Sequence, residues 1–465
     1  MQPTDSEIFK VVIPRNGNSE ILLVREGGGF VLPKVTIPKW QRVAQCVTEC
    51  VADLWSLRSL CLFQPELPKK SGEKEYNNYV VMELRDPYWQ PSPNFIWVQR
   101  NELNKNPQSL PDGDALEEIL KEADSYNAGN VPGPFARSGW LDNLISWAQD
   151  HLRSYDLSLT GKFRQFNGHP FFTLIRLETN GPALWFKAVG EPNHHEYSIT
   201  VSLAERCPQY FPKVVAARPD WHGWLMEEES GHSLEQAMGP KAWSIAASSL
   251  GRMQFDFASQ TDWLLAIGCM DFRIPTMLGK VDSFLELMGD LMEQQPSNSP
   301  PSLGRAELQE LGEFLKRACC RLQELGIPSS LGHCDANPGN IIVRDQRHSV
   351  FLDWAEAYVG FPFATFEYIR LASKKYIPQG DLPRDLLEDS YAKAWETVIS
   401  PESIAEALTL TPVLAVYLAA LSADKPRDPR GERSTHTAKW LRSLTRRMHR
   451  EVRSVTNSGA TCTIS

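Results

Sequence analysis

Three side chains at short, fixed spacing are the part of this chain equipped for chemistry. Leu331-Gly332-His333-Cys334-Asp335-Ala336-Asn337-Pro338-Gly339-Asn340 carries the order His-x-Asp-x-x-x-x-Asn. An apolar strand, a turn and a second apolar strand follow, and then Phe351-Leu352-Asp353-Trp354. Phosphoryl transfer needs such a set. One carboxylate takes the proton of an attacking hydroxyl, and oxygen ligands hold Mg²⁺ on the nucleotide phosphates. Asp335 fits the first role, and Asn340 and Asp353 fit the second.

These residues need elements around them. Leu184-Trp185-Phe186-Lys187-Ala188-Val189 reads as a strand with one Lys. A half-buried Lys is costly unless it is paired or its head reaches water. Glu196 opens a helical segment shortly after it, and Glu205 is the second candidate partner. Two further strands, Lys213–Ala217 and Gly223–Glu228, lead to Gly231-His232-Ser233-Leu234. Phe163 to Phe172 reads as a hairpin with Asn167-Gly168 as its turn. Trp243 to Phe255 reads as a packing helix.

Protein kinases place Arg after the His and Phe-Gly after the metal Asp. Here those positions hold Cys334 and Trp354. His-x-Asp with Asp-Trp, followed by Gly360-Phe361-Pro362, resembles the aminoglycoside phosphotransferase and choline kinase superfamily. The resemblance implies an α+β, bilobal protein-kinase-like fold with a β-rich small lobe and an α-helical large lobe. It implies ATP, with GTP as an alternative, and Mg²⁺. In it Lys187 grips the phosphates, Glu196 holds Lys187, and the backbone at Glu227, Glu228 and Glu229 meets the adenine edge. His333 orders the loop and moves no proton. The chain departs from the family at Thr365, where an Asp is common, with Glu367 nearby. The phosphate-covering hairpin has a single Gly, as in aminoglycoside-type kinases.

Other chemistries find no support. Gly161-Lys162 is followed by Phe163, so no P-loop is present, and neither His-Glu-x-x-His nor Cys-x-x-Cys occurs. Cys46 and Cys50 read as core residues of a helix, and His194-His195 as a solvated helix start. A net charge of −9 argues against nucleic-acid or membrane-surface partners. The expected partner is a small-molecule hydroxyl substrate, with a homodimer left open. No apolar run reaches transmembrane length, and charges stand near the N-terminus in place of a signal h-region. Nine cysteines without framework spacing fit a reducing, cytoplasmic setting.

The first 125 residues have their own pattern. Phe9–Pro14, a turn at Asn16-Gly17-Asn18 and a returning strand Glu20–Arg25 lead to Gly27-Gly28-Gly29, read as a turn, and Phe30-Val31-Leu32-Pro33. Trp40 to Trp55 has helical apolar spacing, and strands follow near Leu60–Phe63, Asn78–Met82 and Phe95–Val98. This segment resembles a Nudix domain, an α/β/α sandwich. Where that family has Arg-Glu-x-x-Glu-Glu, this chain has Glu49-Cys50-Val51-Ala52-Asp53-Leu54. The metal box is broken, so the module reads as one for docking, dimerisation or covering the kinase. The expected domains are a Nudix-like domain over 1–125, a linker and helix over 126–160, a small lobe over 161–230, a large lobe over 231–455 and a tail over 456–465. Pro- and Ser-rich Gln294–Ser302 and charged Ala423–Ser434 read as surface breaks. The basic helix Trp440–Val452 presents Arg446, Arg447 and Arg450, expected on a solvated face.

The chain therefore reads as an ATP-dependent phosphotransferase acting on a small-molecule alcohol. Two other readings stay open: a kinase that activates a hydroxyl for elimination or substitution, and a catalytically silent nucleotide-binding protein. Glu356 and Glu367 are candidates to face a cationic substrate, although solvation or packing explains each more simply.

Overall fold

The computed structural model describes residues 5–67, 78–105, 110–130, 133–237, 239–378, 381–383, 385–423 and 434–457. The chain forms two compact units, residues 1–197 with 214–228, and residues 198–213 with 229–465.

The first unit opens with strands that feed two cores. Ser6–Val12 pairs antiparallel with Lys34–Pro38 and parallel with Asn78–Leu84, which pairs with Ser59–Phe63. Phe9, Val11, Val80 and Met82 pack with Ala44, Val47 and Val51 of helix Val43–Trp55. Val12, Tyr79 and Val81 share the other core with Leu116, Ile119 and Leu120 of helix Gly113–Asn127. Consecutive strand residues point to opposite faces, so helices bury both sides of the sheet. That layering is an α/β/α sandwich.

The hairpin expected between Phe9–Pro14 and Glu20–Arg25 is split between two sheets. Glu20–Glu26 pairs with Pro14–Arg15, Gly29–Val31 and Phe95–Gln99, while Ser6–Val12 stays in the mixed sheet. The chain changes sheet at Ile13, which is fully buried and accepts the Leu22 amide at 3.1 Å. Pro14 has no N–H to offer a continuing ladder. The helix expected from Trp40 starts at Val43, because Trp40 has a left-handed backbone, φ +67°.

Five antiparallel strands complete this unit, in the order Val214–Arg218, Gly223–Glu227, Leu184–Ala188, Thr173–Thr179 and Leu159–Gly168. Their core is continuous with the preceding one. Phe135, Trp140 and Leu144 join Leu60 and Phe63 to Ile175, Phe186 and Leu225. Asn167-Gly168 ends a strand, and the turn falls instead at His169–Phe172, closed by the His169 amide on the Phe172 carbonyl at 3.1 Å. A Cβ on Gly168 would lie 3.1 Å from the Cys61 carbonyl oxygen. Close packing, not turn geometry, accounts for this glycine.

The second unit is mainly helical. Strand Ser330–His333 pairs antiparallel with Ala357–Gly360, which runs parallel to Met270–Phe272. The hairpin of Ile341–Val343 and Ser349–Phe351 takes His232–Ser233 as its third strand. Where the sequence suggests no apolar run of transmembrane length, Pro401–Ala423 is, among the described residues, the one helix long and apolar enough to cross a membrane. Here it is a core helix: Val413, Leu414 and Leu418 are fully buried, and the Tyr417 hydroxyl donates to the Met277 carbonyl at 3.0 Å. An interior position selects a helix that is apolar all round. Gln294–Ser302 includes an irregular connection tied by Arg446, which donates to the Pro301 carbonyl at 2.7 Å. Val131 and Pro132 of the expected linker, 424–433 of the charged break and 458–465 of the tail lie outside the described residues.

Gln165 links the N-terminal strands to the five-stranded sheet. It is 2% exposed, donates to the Cys61 carbonyl at 2.9 Å and accepts the Cys61 amide at 2.8 Å. Gln165→Leu keeps the volume and strands both peptide groups. At about 1–3 kcal/mol for each of the two unmet groups, the substitution is expected to cost roughly 2–6 kcal/mol. Urea unfolding of the full chain measures it, and a loss below about 1 kcal/mol would show that other groups satisfy Cys61.

Candidate active site

The His-x-Asp loop is built on a glycine. Strand Ser330–His333 crosses Tyr358, and a Cβ on Gly332 would lie 2.0 Å from the tyrosine ring. His333, 2% exposed, follows it. Its ring is committed on both sides: Nε2 meets the Leu352 carbonyl at 3.0 Å, and Nδ1 meets the Asp335 amide at 3.0 Å. A carbonyl only accepts and an amide only donates, so the ring is the neutral Nε2–H tautomer. It ties the loop at both ends.

The loop then turns tightly. The Asn337 amide donates to the Asp335 carbonyl at 2.8 Å, and its side-chain amide donates to the Asp335 carboxylate. The Asn340 side-chain amide donates to the Asp335 carbonyl at 3.2 Å, which turns its Oδ1 away from that carbonyl. The Leu352 amide donates to the Asn340 carbonyl at 2.8 Å. The next residue, Asp353, has φ +67° and ψ 66°, a left-handed conformation uncommon outside glycine. Both neighbours hold it there. Leu352 is bonded through its N–H and C=O, and Trp354 is fully buried, with Nε1 on the Phe351 carbonyl at 3.0 Å and its ring against Phe211 at 5.1 Å.

Asn340 and Asp353 thus flank one short hairpin and offer two hard oxygen groups. Mg²⁺ commonly takes one or two protein oxygens and completes its shell with water and phosphate, so this donor set fits it. Among the described residues no group of three or more His, Cys, Asp or Glu is placed to hold a metal, His194 and His195 included.

Thr365 is where the chain departs from the family pattern, and its hydroxyl is fully engaged. It accepts the buried His333 amide at 2.8 Å and lies 3.2 Å from the Tyr358 hydroxyl. Asn337 and Thr365 were not read as site residues from sequence. The gap in the motif at Thr365 was the available signal. Nothing in the spacing marked Asn337.

In the first unit, Lys187 projects from strand Leu184–Ala188 on the face opposite buried Leu184, Phe186 and Ala188. Its Nζ lies 2.5 Å from Glu196 Oε1, and Glu196 is 2% exposed. The backup, Glu205, is exposed. Glu228 is tied to Arg176 at 2.6 Å and to Trp185 Nε1 at 3.0 Å, and its amide donates to the Ala183 carbonyl at 2.9 Å. Hydrogen bonding by Arg176 holds the Glu228 carboxyl below the usual range. Glu227 ends strand Gly223–Glu227. In the second unit Glu229 forms a forked pair with Arg344 at 2.8 Å.

A cavity of about 310 Å³ opens beside Cys334 and Asp335. Glu356 and Glu367 both line it, and so does Arg447, which the sequence reading placed on a solvated face. Glu367 is 3% exposed and holds Arg370 through two bonds at 2.7 and 2.8 Å. Burial, the largest effect, keeps the Tyr368 hydroxyl well above its usual pKa.

Thr365→Val is nearly isosteric and leaves the buried His333 amide without its acceptor. A stability loss of about 1–3 kcal/mol is expected, while Thr365→Ser retains the oxygen and stays near the parent. Thermal unfolding of both variants checks this, and equal losses would remove the hydrogen bond from the account.

Residues 210–399 match the sequence model of the phosphotransferase enzyme family, APH. No curated protein matches the chain. Solved structures that align with it include a macrolide 2'-phosphotransferase from Brachybacterium faecium, at 16% identity and TM-score 0.43, covering 65% of this chain and 98% of that one. A choline kinase from Cryptosporidium parvum aligns at 11% identity and TM-score 0.47, covering 69% and 97%. An ethanolamine kinase from Plasmodium vivax aligns at 14% identity and TM-score 0.43, covering 66% and 85%. Residues 210–399 are thus similar to the phosphotransferase enzyme family, a match that spans less than half of the chain.

Proposed function

We propose that this protein is an ATP-dependent, Mg²⁺-requiring phosphotransferase that acts on the hydroxyl of a small molecule. One observation carries the reading: the Asp335 carboxylate stands at a ligand-sized cavity, on a loop whose backbone also fixes Asn340 and Asp353. Asp335 receives the proton of the acceptor hydroxyl, and Asn337 holds the carboxylate in place for it. Asn340 and Asp353 hold Mg²⁺, whose charge offsets that of the transferring phosphoryl group. Lys187, steadied by Glu196, positions the nucleotide phosphates. Base contact falls to the backbone over Glu227, Glu228 and Glu229, where the Glu228 amide already donates to the Ala183 carbonyl. Positioning and charge neutralisation supply most of the barrier reduction.

The Nudix-like module serves as a brace and not as a hydrolase. Glu49, a surviving acid of the broken metal box, pairs with Arg164 at 2.6 Å.

Asp335→Ala is expected to lower kcat by at least about a hundredfold, the usual share of a general base, and to leave nucleotide affinity intact. Asp353→Ala lowers both, and chelation of Mg²⁺ abolishes turnover. Coupled ADP or GDP release with ATP and GTP, over a panel of alcohols, measures all three. Near-parent turnover in Asp335→Ala would sink the mechanism. Product analysis separates a phosphate ester from an eliminated product.

A further inference from the structure

The cavity beside Asp335 describes the acceptor, given the phosphotransferase reading of the same site. Helices Phe363–Tyr376, Pro401–Ala423 and Thr435–Asn457 form most of its wall. The lining is chiefly apolar: Leu371, Ala415, Val416, Ala419, Ala423 and Leu444. Trp440 extends that surface. Its volume, about 310 Å³, is at the small end of ligand pockets, which span about 300–1,000 Å³. Helix Pro401–Ala423 offers four apolar side chains and one hydroxyl, Ser422, to this wall, which favours a hydrocarbon body over a polyhydroxylated ring.

The charged groups narrow the choice further. The carboxylates of the lining are Asp335, Glu356 and Glu367, and Glu367 is held in a forked pair with Arg370. Arg447 is the one cation among the described residues that line the cavity. It meets Glu451 at 3.9 Å, too long for a hydrogen bond. The guanidinium fork matches a carboxylate. Beside it, the Tyr368 hydroxyl is buried and has no hydrogen-bond partner among the described residues. Arg447 and Asp335 are both among the charges acting on that hydroxyl. An unmet buried hydroxyl is costly, and a ligand oxygen in the cavity would satisfy it.

We propose that the acceptor is a compact hydroxy acid. Its alcohol faces Asp335, its hydrocarbon skeleton lies along the three helices, and its carboxylate rests on Arg447 and accepts from Tyr368. In the transfer, the bond from the γ-phosphorus to the bridging oxygen of ADP breaks. A new bond forms from that phosphorus to the alcohol oxygen, and the alcohol proton passes to Asp335. Acceptors that would place a cation at the Arg447 end of the cavity are disfavoured, because Arg447 repels it.

Calorimetric titration of the full chain, with ADP and Mg²⁺ present, compares hydroxyhexanoate, hydroxyhexanamide and aminohexanol. The acid is expected to bind at least about tenfold tighter than the amide or the amino alcohol. In Arg447→Gln the preference should fall to within about threefold, with nucleotide binding retained as the control for folding. Tyr368→Phe should reduce it in part. An amide or amino alcohol that binds as well as the acid overturns the proposal, as does a preference that survives Arg447→Gln or an acid that does not bind. Phosphorus NMR of the same mixtures with ATP separates the two readings. Acid-selective binding without transfer overturns the phosphotransferase and keeps the hydroxy-acid pocket. Transfer to alcohols regardless of the carboxylate does the reverse.

Discussion

The candidate site depends on one peptide unit's worth of hydrogen bonding at Leu352. Its carbonyl takes the His333 ring proton and its amide reaches the Asn340 carbonyl. The same residue therefore ties the start of the catalytic loop, its end, and the backbone just before Asp353. The other His333 nitrogen takes the Asp335 amide. Removing any of these leaves a buried polar group unmet, and the cost of that is larger than the modest net gain of making the bond. The buried Trp354 then fixes the direction in which Asp353 leaves the hairpin. The left-handed backbone at Asp353 is local strain held by its two neighbours, a pattern that recurs where geometry serves chemistry.

The first unit is organised by a different constraint, the need to cover both faces of a sheet. Alternating residues of Ser6–Val12 and Asn78–Leu84 supply two cores, one of which runs on into the five-stranded sheet. The N-terminal strands and the strand that bears Lys187 are thus parts of one packed body. Gln165 and the Arg164–Glu49 pair add polar links across it. A module that shares its core in this way acts on the rest of the unit through packing, with no chemistry of its own required.

Much of the site was legible in the chain because its chemistry is local in sequence. Asp335, Asn340 and Asp353 fall within one loop and one hairpin, so their spacing alone brings them together. Lys187 and Glu196 lie on a strand and the helix that follows, again a short path. The errors arose where long-range packing decides. Asn167-Gly168 is a strong turn dipeptide, yet Gly168 is required by the Cys61 carbonyl that crosses it. The first hairpin split at Ile13 because two sheets, not one, needed its flanks.

The residue types and their order suggested the reaction class on their own: a carboxylate suited to accept a proton, two hard oxygen groups and a paired Lys, each in a recognisable local element. What bears on an acceptor came from the tertiary structure alone. Arg447 looks like one cation of a basic helix face, and Glu367 like a free acid, until the helices Phe363–Tyr376, Pro401–Ala423 and Thr435–Asn457 close on the same cavity. There Glu367 is paired with Arg370, Arg447 lines the cavity, and the Tyr368 hydroxyl is buried beside it. Charge and hydrogen-bonding capacity are written in the sequence, but only the fold determines which groups cancel and which remain for a substrate.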